Sequence, residues 1–189
     1  MEIEEEAQKY IRRYVLFGFY SSIEIERIVG DDVFAGEIPK KRLRAMIKAE
    51  IEQKRIEEQS WPAVTDCDRL DQVFALLESE KILALHNAGL TPSEGIDEMS
   101  ERYYEAGGRK SGISGYCFYH GQDMESALVD DELGLAFGDI KGDDTKGVKI
   151  GERIRRALEA GGLKVAWTGS IKDKMFLKGF RWQRRTKTA

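Results

Sequence analysis

The sequence predicts an α+β protein: a helical N-terminal region over residues 1–60, then a four- to five-stranded mixed sheet with packed helices over 61–189. Three observations carry this. Apolar residues recur at three- and four-residue steps through the first sixty positions, with no alternating stretch among them. Trp61-Pro62 then interrupts the pattern, because the residue before a proline is pushed out of helical geometry. Beyond that point, short apolar or alternating runs take turns with helical periods, the signature of strands covered by helices.

Ile3, Ala7, Tyr10, Ile11 and Tyr14 form one stripe between charged residues, giving a first helix that ends near Gly18. Ser21 followed by Glu24 has capping-box spacing and opens a short second helix, for which Gly30 is the expected stop. Pro39 suits the first turn of a third helix, whose row Leu43, Ile47, Ile51 runs toward Ser60. With 11 basic and 13 acidic residues, this region is mixed in charge, and its basic cluster at 40–44 reads as a solvated face.

Thr65 and Asp68 cap a helix carrying Leu70, Val73, Phe74 and Leu77. Ile82–Leu85 is a short apolar run suited to a buried strand. Thr91, Pro92 and Glu94 give the clearest start signal in the chain, for a helix presenting Ile96, Met99 and Tyr103 and stopped by Gly107-Gly108. The loop 107–115 leads to a strand at Tyr116–His120. A brief helix follows from Asp123 to Leu128. Leu133, Leu135 and Phe137 alternate with small residues, so one strand face is bulky and the other leaves room for close packing. Ile150, Ile154 and Leu158 mark another helix, closed by Gly161-Gly162; Leu163–Trp167 reads as a half-exposed strand and Met175–Leu177 as an edge strand.

Composition excludes several function classes. A chain of 189 residues with 41% hydrophobic and 34% charged residues can bury a core, and its net charge of −4 gives no chain-wide footprint for nucleic acid or anionic membrane. No run approaches the roughly 18 apolar residues of a membrane span, and the acidic start is unlike a secretory leader, so the expected location is cytoplasmic. Cys67 and Cys117 read as buried small hydrophobes. The segment Gly107–Gly112 lacks the order of a phosphate loop and precedes a strand. No cofactor fingerprint is present.

Candidate chemistry centres on the two histidines. His86 and His120 both end predicted strands, where ligands bind in open α/β sheets, and Asp123 stands three residues beyond His120. Two imidazoles and a carboxylate can bind a metal or divide acid and base roles, with Asp66 as a further candidate. The structural alternative makes Asp123 a first-turn acid facing the helix dipole and each histidine a hydrogen-bonded rim residue. From Ser170 onward, seven Lys or Arg against one acid, interleaved with Phe180 and Trp182, allow single-stranded nucleic-acid binding, though an edge strand and a loose tail explain the same residues.

Trp61-Pro62-Ala63-Val64-Thr65-Asp66-Cys67-Asp68-Arg69-Leu70, Leu85-His86-Asn87-Ala88-Gly89 and Gly115-Tyr116-Cys117-Phe118-Tyr119-His120-Gly121-Gln122-Asp123 resemble, in order, an uncharacterised bacterial family classed as a domain of unknown function. The resemblance spans about Trp61 to Arg185, including Leu133–Gly138 and Trp182-Gln183-Arg184-Arg185. It implies a bacterial, non-secreted protein and no transferable activity. Some relatives carry a cysteine cluster near the position of Leu90-Thr91, which this chain lacks. The leading functional expectation is a non-catalytic interaction or regulatory module, immunity- or inhibitor-like, with a protein partner. The concentration of Tyr10, Tyr14, Phe17, Phe19 and Tyr20 admits a homodimer. The alternatives are an enzyme or metal protein using His86, His120 and Asp123, and a nucleic-acid binder through Lys172–Arg185.

Overall fold

A computed structural model describes residues 2–186 and divides them into two compact units, one of residues 2–65 with 183–186, the other Asp66–Trp182. The first unit is helical. Helix α1 (Glu2–Phe17) buries Ala7, Ile11, Tyr14, Val15 and Phe17. It faces α3 (Lys40–Glu58), which contributes Leu43, Met46 and Ile47. Full burial of each Leu or Ile stabilises by about 1.5–3 kcal/mol. Glu50 of α3 accepts from Gln8 Nε2 and Arg12 Nη1, both at 2.7 Å. The last turn of α1 has no basic residue of its own. Lys54 supplies one through space: its ammonium, 1% exposed, donates to the Val15 carbonyl at 3.0 Å and lies 3.8 Å from Glu58. A cation is favourable at that end of a helix dipole.

Helix α2 (Ser22–Glu26) begins with the expected box, Ser21 and Glu24 bonding each other's backbone amides. Gly30 does not stop it. The chain widens into a π-helical turn over Arg27–Val33, and Gly30 lies inside that turn. A Cβ there would meet Leu43 Cδ2 at 2.7 Å, so the glycine permits close approach of α3. Residues 183–186 are no loose tail. Arg184 stacks over Phe19 at 4.5 Å, Arg185 donates to the Pro62 carbonyl, and Thr186 donates twice to Glu58.

In the second unit five strands form one sheet in the order β1-β2-β3-β5-β4: β1 Ile82–Leu85, β2 Gly115–Phe118, β3 Glu132–Asp139, β4 Val165–Ala166 and β5 Met175–Lys178. The sheet is mixed, since β1 and β2 are parallel and the other pairs antiparallel. The helices are α4 (Asp66–Ser79), α5 (Pro92–Glu105), α6 (Gly121–Asp130) and α7 (Asp144–Ala160). Leu83, Leu85 and Phe118 share one sheet face and pack with Met99 of α5. On the opposite face, a Cβ at Gly115 would strike Ile150 of α7 at 2.4 Å. Thr91, Pro92 and Glu94 open α5 as expected, with Glu94 accepting from the amides of Leu90 and Thr91.

Three local expectations are corrected. Strand β2 ends at Phe118, leaving Tyr119 and His120 beyond it. Helix α6 starts at Gly121, so Asp123 lies inside the first turn. Strand β4 holds only Val165 and Ala166; Trp167 turns away, donating from Nε1 to the Ser170 carbonyl and meeting Phe137 edge-on.

Candidate functional site

Strands β1 and β2 are parallel neighbours with Leu85 opposite Phe118, so His86 and His120 do leave the same end of the sheet. The register separates them. The backbone pairing continues past the strands, Ala88 N donating to the Tyr119 carbonyl at 2.9 Å. Successive side chains alternate between faces. His86 therefore shares a face with Tyr119, while His120 belongs to the face of Phe118.

His120 is 1% exposed. Its Nε2 lies 3.0 Å from Asp123 Oδ2 and 3.0 Å from Lys174 Nζ, and Lys174 Nζ is 2.8 Å from Asp123 Oδ1. Asp123 also accepts from the His120 amide at 3.2 Å, capping the first turn of α6. Nδ1 is buried without a hydrogen-bond partner among the described residues. The small face of β3 makes room for this cluster, because a Cβ on Gly134 would come within 2.6 Å of Asp123 Oδ1. Burial lowers the His120 pKa; Asp123 and Glu94 oppose that shift and Lys174 reinforces it. The imidazole is thus neutral near pH 7. The Lys174 ammonium occupies the place of a cation between imidazole and carboxylate. Among the described residues no three His, Cys, Asp or Glu side chains group as a metal ion requires. The cluster fastens the end of β2, the start of α6 and the segment before β5.

His86 has a different setting. Its ring stacks on Phe74 of α4 at a centroid distance of 4.5 Å. Nδ1 lies 2.8 Å from the buried Tyr119 hydroxyl and Nε2 3.4 Å from Asp71 Oδ1. The direction of the hydrogen bond between Nδ1 and the Tyr119 hydroxyl sets which ring nitrogen carries the proton. The side chain retains 27% exposure and opens on a cleft of about 350 Å³. This cleft follows the free edge of β1, between Asp71, Phe74 and Glu78 of α4 and Glu98 and Arg102 of α5. Burial raises the pKa of Glu98, against the pull of the Gly89 amide and Arg102.

Asp66 joins neither histidine. Its Oδ1 holds Arg69 at 2.7 Å and its Oδ2 accepts from the Arg181 amide at 3.1 Å, which pins the C-terminal segment to the start of α4. Both cysteines are buried, and burial pushes the Cys117 thiol far above its ordinary value. Phe180 and Trp182 are 1% and 7% exposed, with Trp182 edge-on to Tyr119, so neither ring offers a face for stacking a base.

Sequence reasoning missed Lys174, Tyr119, Asp71 and Glu98. A signal existed for two of them: Asp71, Phe74, Ala75 and Glu78 fall on one stripe of α4, and Glu98 and Arg102 one turn apart on α5. Nothing local marks Lys174, which lies 51 residues from Asp123.

A family profile matches residues 1–186. The chain belongs to the family described as a domain of unknown function, DUF6891. The match extends the sequence resemblance, which began at Trp61, across the helical unit as well. No curated protein and no solved structure matches the chain. The family therefore brings no activity with it, and the chemistry must be argued from the side chains. Among the described residues no helix is long and apolar enough to cross a membrane.

Proposed function

We propose that this member of the family is a non-catalytic protein-interaction module of regulatory or inhibitor-like type, which presents the outer face of α5 to a basic surface on a partner protein. The observation that carries this reading is a stripe at helical spacing, Asp97, Glu101, Tyr104 and Glu105, all exposed, with Tyr104 74% exposed. Glu94 and Glu98 widen it, and Arg102 is the cation within it. An exposed tyrosine supplies rigid apolar area with a polar tip, while surrounding carboxylates steer a cationic partner and reject anionic ones. The catalytic alternative is poorly served: the most complete His-Asp pair, His120 with Asp123, is sealed from solvent.

The test compares full-length protein with an Asp97→Lys/Glu101→Lys/Tyr104→Ala variant, each immobilised and exposed to extract from the native cells. The expected result is a set of basic proteins retained by the parent, released by moderate salt, and lost from the variant while its circular dichroism is unchanged. Identical retention by both proteins overturns the reading.

A further inference from the structure

The loop joining β4 to β5 is held by local bonds and by the His120 cluster. Trp167 Nε1 donates to the Ser170 carbonyl at 2.8 Å, and Thr168 Oγ1 donates to Asp173 Oδ2 at 2.6 Å. Ile171 lies against α7, where a Cβ on Gly147 would meet it at 2.7 Å. At the loop's end, Lys174 Nζ reaches His120 Nε2 at 3.0 Å and Asp123 Oδ1 at 2.8 Å. The charged groups that face His120 are Asp123 from α6, Lys174 from the segment before β5, and Glu94 from the start of α5. At this place β3 offers Gly134, and the 87–90 turn, which holds Gly121 through the Gly89 carbonyl, brings no charged side chain. The amides of Leu90 and Thr91 hold the Glu94 carboxyl below the usual carboxylate range, so it stays anionic while a histidine titrates.

We infer that this cluster is an acid-sensitive latch: a second proton on the His120 ring expels Lys174 from Nε2 and frees the 170–174 loop before β5. An ammonium only donates, so Lys174 bonds to Nε2 only while that nitrogen offers a lone pair. In the imidazolium both ring nitrogens carry hydrogen, and two cations then stand 3.0 Å apart around a ring that is 1% exposed. Either neutral tautomer becomes the same cation, so the outcome does not depend on which nitrogen held the first proton. Asp123 Oδ2, also 3.0 Å from Nε2, is the acceptor to which the charged ring turns, and the histidine exchanges one partner for the other in place. Lys174 is the member with a route out. Its side chain is 31% exposed, against 2% for His120 and 9% for Asp123. The closed form is the one that persists at neutral pH, since burial and the Lys174 charge both oppose protonation of the ring.

The test is an NMR titration of the full-length protein from about pH 7.5 to about pH 4.5. It follows the histidine rings, the Lys174 ε-methylene, the Trp167 indole N–H and the amides of 170–174. The expected result is one midpoint, below the ordinary histidine value of about 6.5, shared by His120, Lys174 and the loop. Exchange of the loop amides, corrected for its intrinsic pH dependence, is expected to be about tenfold faster at the acid end, while the amides of β2 and β3 stay protected. The ring signal missing from His120→Gln identifies His120, and in that variant the loop shows no such step. Lys174→Gln gives an independent reading: with no ammonium to expel, the His120 midpoint rises. A loop step that persists in His120→Gln, a His120 titration that leaves Lys174 and the loop unmoved, no His120 titration in the folded protein, or a midpoint unchanged by Lys174→Gln overturns the inference.

Discussion

His86 and His120 lie beyond the ends of neighbouring parallel strands, yet the sheet sends them into opposite environments. His120 is closed in by a lysine, a carboxylate and the start of α6, whereas His86 leans on an aromatic ring and keeps 27% of its side chain open to a cleft. The difference arises from one residue of register. Tyr119 separates the face that α4 covers from the face that Asp123 and Gly134 share, and a strand end displays both at once. A histidine at such a position is equally able to fasten elements together or to face a ligand. Its partners on the flanking helices decide which.

The largest expected effect breaks the closed side. Lys174→Met removes the cation that faces buried Asp123 and His120. It leaves a carboxylate with little solvent, at a cost of about 3 kcal/mol or more, read as a fall in the urea midpoint with the slope unchanged. Restoring charge balance with Lys174→Met/Asp123→Asn is expected to recover part of that loss, and a double variant no better than the single one contradicts the pairing. Next comes Gly134→Ala. The added Cβ collides with Asp123 Oδ1, and overpacking of this kind costs about 1–3 kcal/mol. The same substitution at Gly142, where a Cβ meets nothing within 4 Å but φ is +76°, measures a backbone strain that Gly134 does not bear, so a loss at Gly134 is steric.

How much of this was legible follows from the range of each interaction. The helical region, the mixed sheet and the capping of α5 could be read because caps and amphipathic periods are local: Thr91 and Glu94 meet across three residues. The small face of β3 was readable as space, but not what would fill it. Lys174 looked like an edge-strand charge because its partners lie more than fifty residues away, and Phe180 with Trp182 looked exposed because basic neighbours surround them in sequence. Charge density along a chain says where a segment meets water only when the segment is exposed on all sides; here the aromatic rings turn inward while Arg181 is exposed and Arg185 reaches Pro62. Gly30 illustrates the converse, a helix terminator by composition that serves instead as a contact point for Leu43.

Acidification sharpens the comparison because the two sides respond with opposite sign. His120 holds its proton less tightly when folded, so the unfolded chain binds more protons on acidification. Its contribution to stability is intact above the ordinary histidine value of about 6.5 and declines as pH falls below it. Glu98 is shifted upward, so the folded state gains protons first, and its effect on stability is favourable at low pH and lost as pH rises through the folded value. His120→Gln is therefore expected to flatten the fall in stability between pH 6.5 and 5, while Glu98→Gln raises stability at neutral pH. Denaturant titrations across this range separate them, and parallel curves for parent and His120→Gln contradict the assignment.

The smallest expected change is on the open side. His86→Ala removes the stack on Phe74 and the bond to the Tyr119 hydroxyl. One such bond contributes about 1 kcal/mol, and water entering the cleft offsets part of the loss. A shift of the urea midpoint well below that of Lys174→Met is expected. A His86→Ala protein as unstable as Lys174→Met would show that the ring is a core element like His120, and the contrast between the two strand ends would lose its meaning.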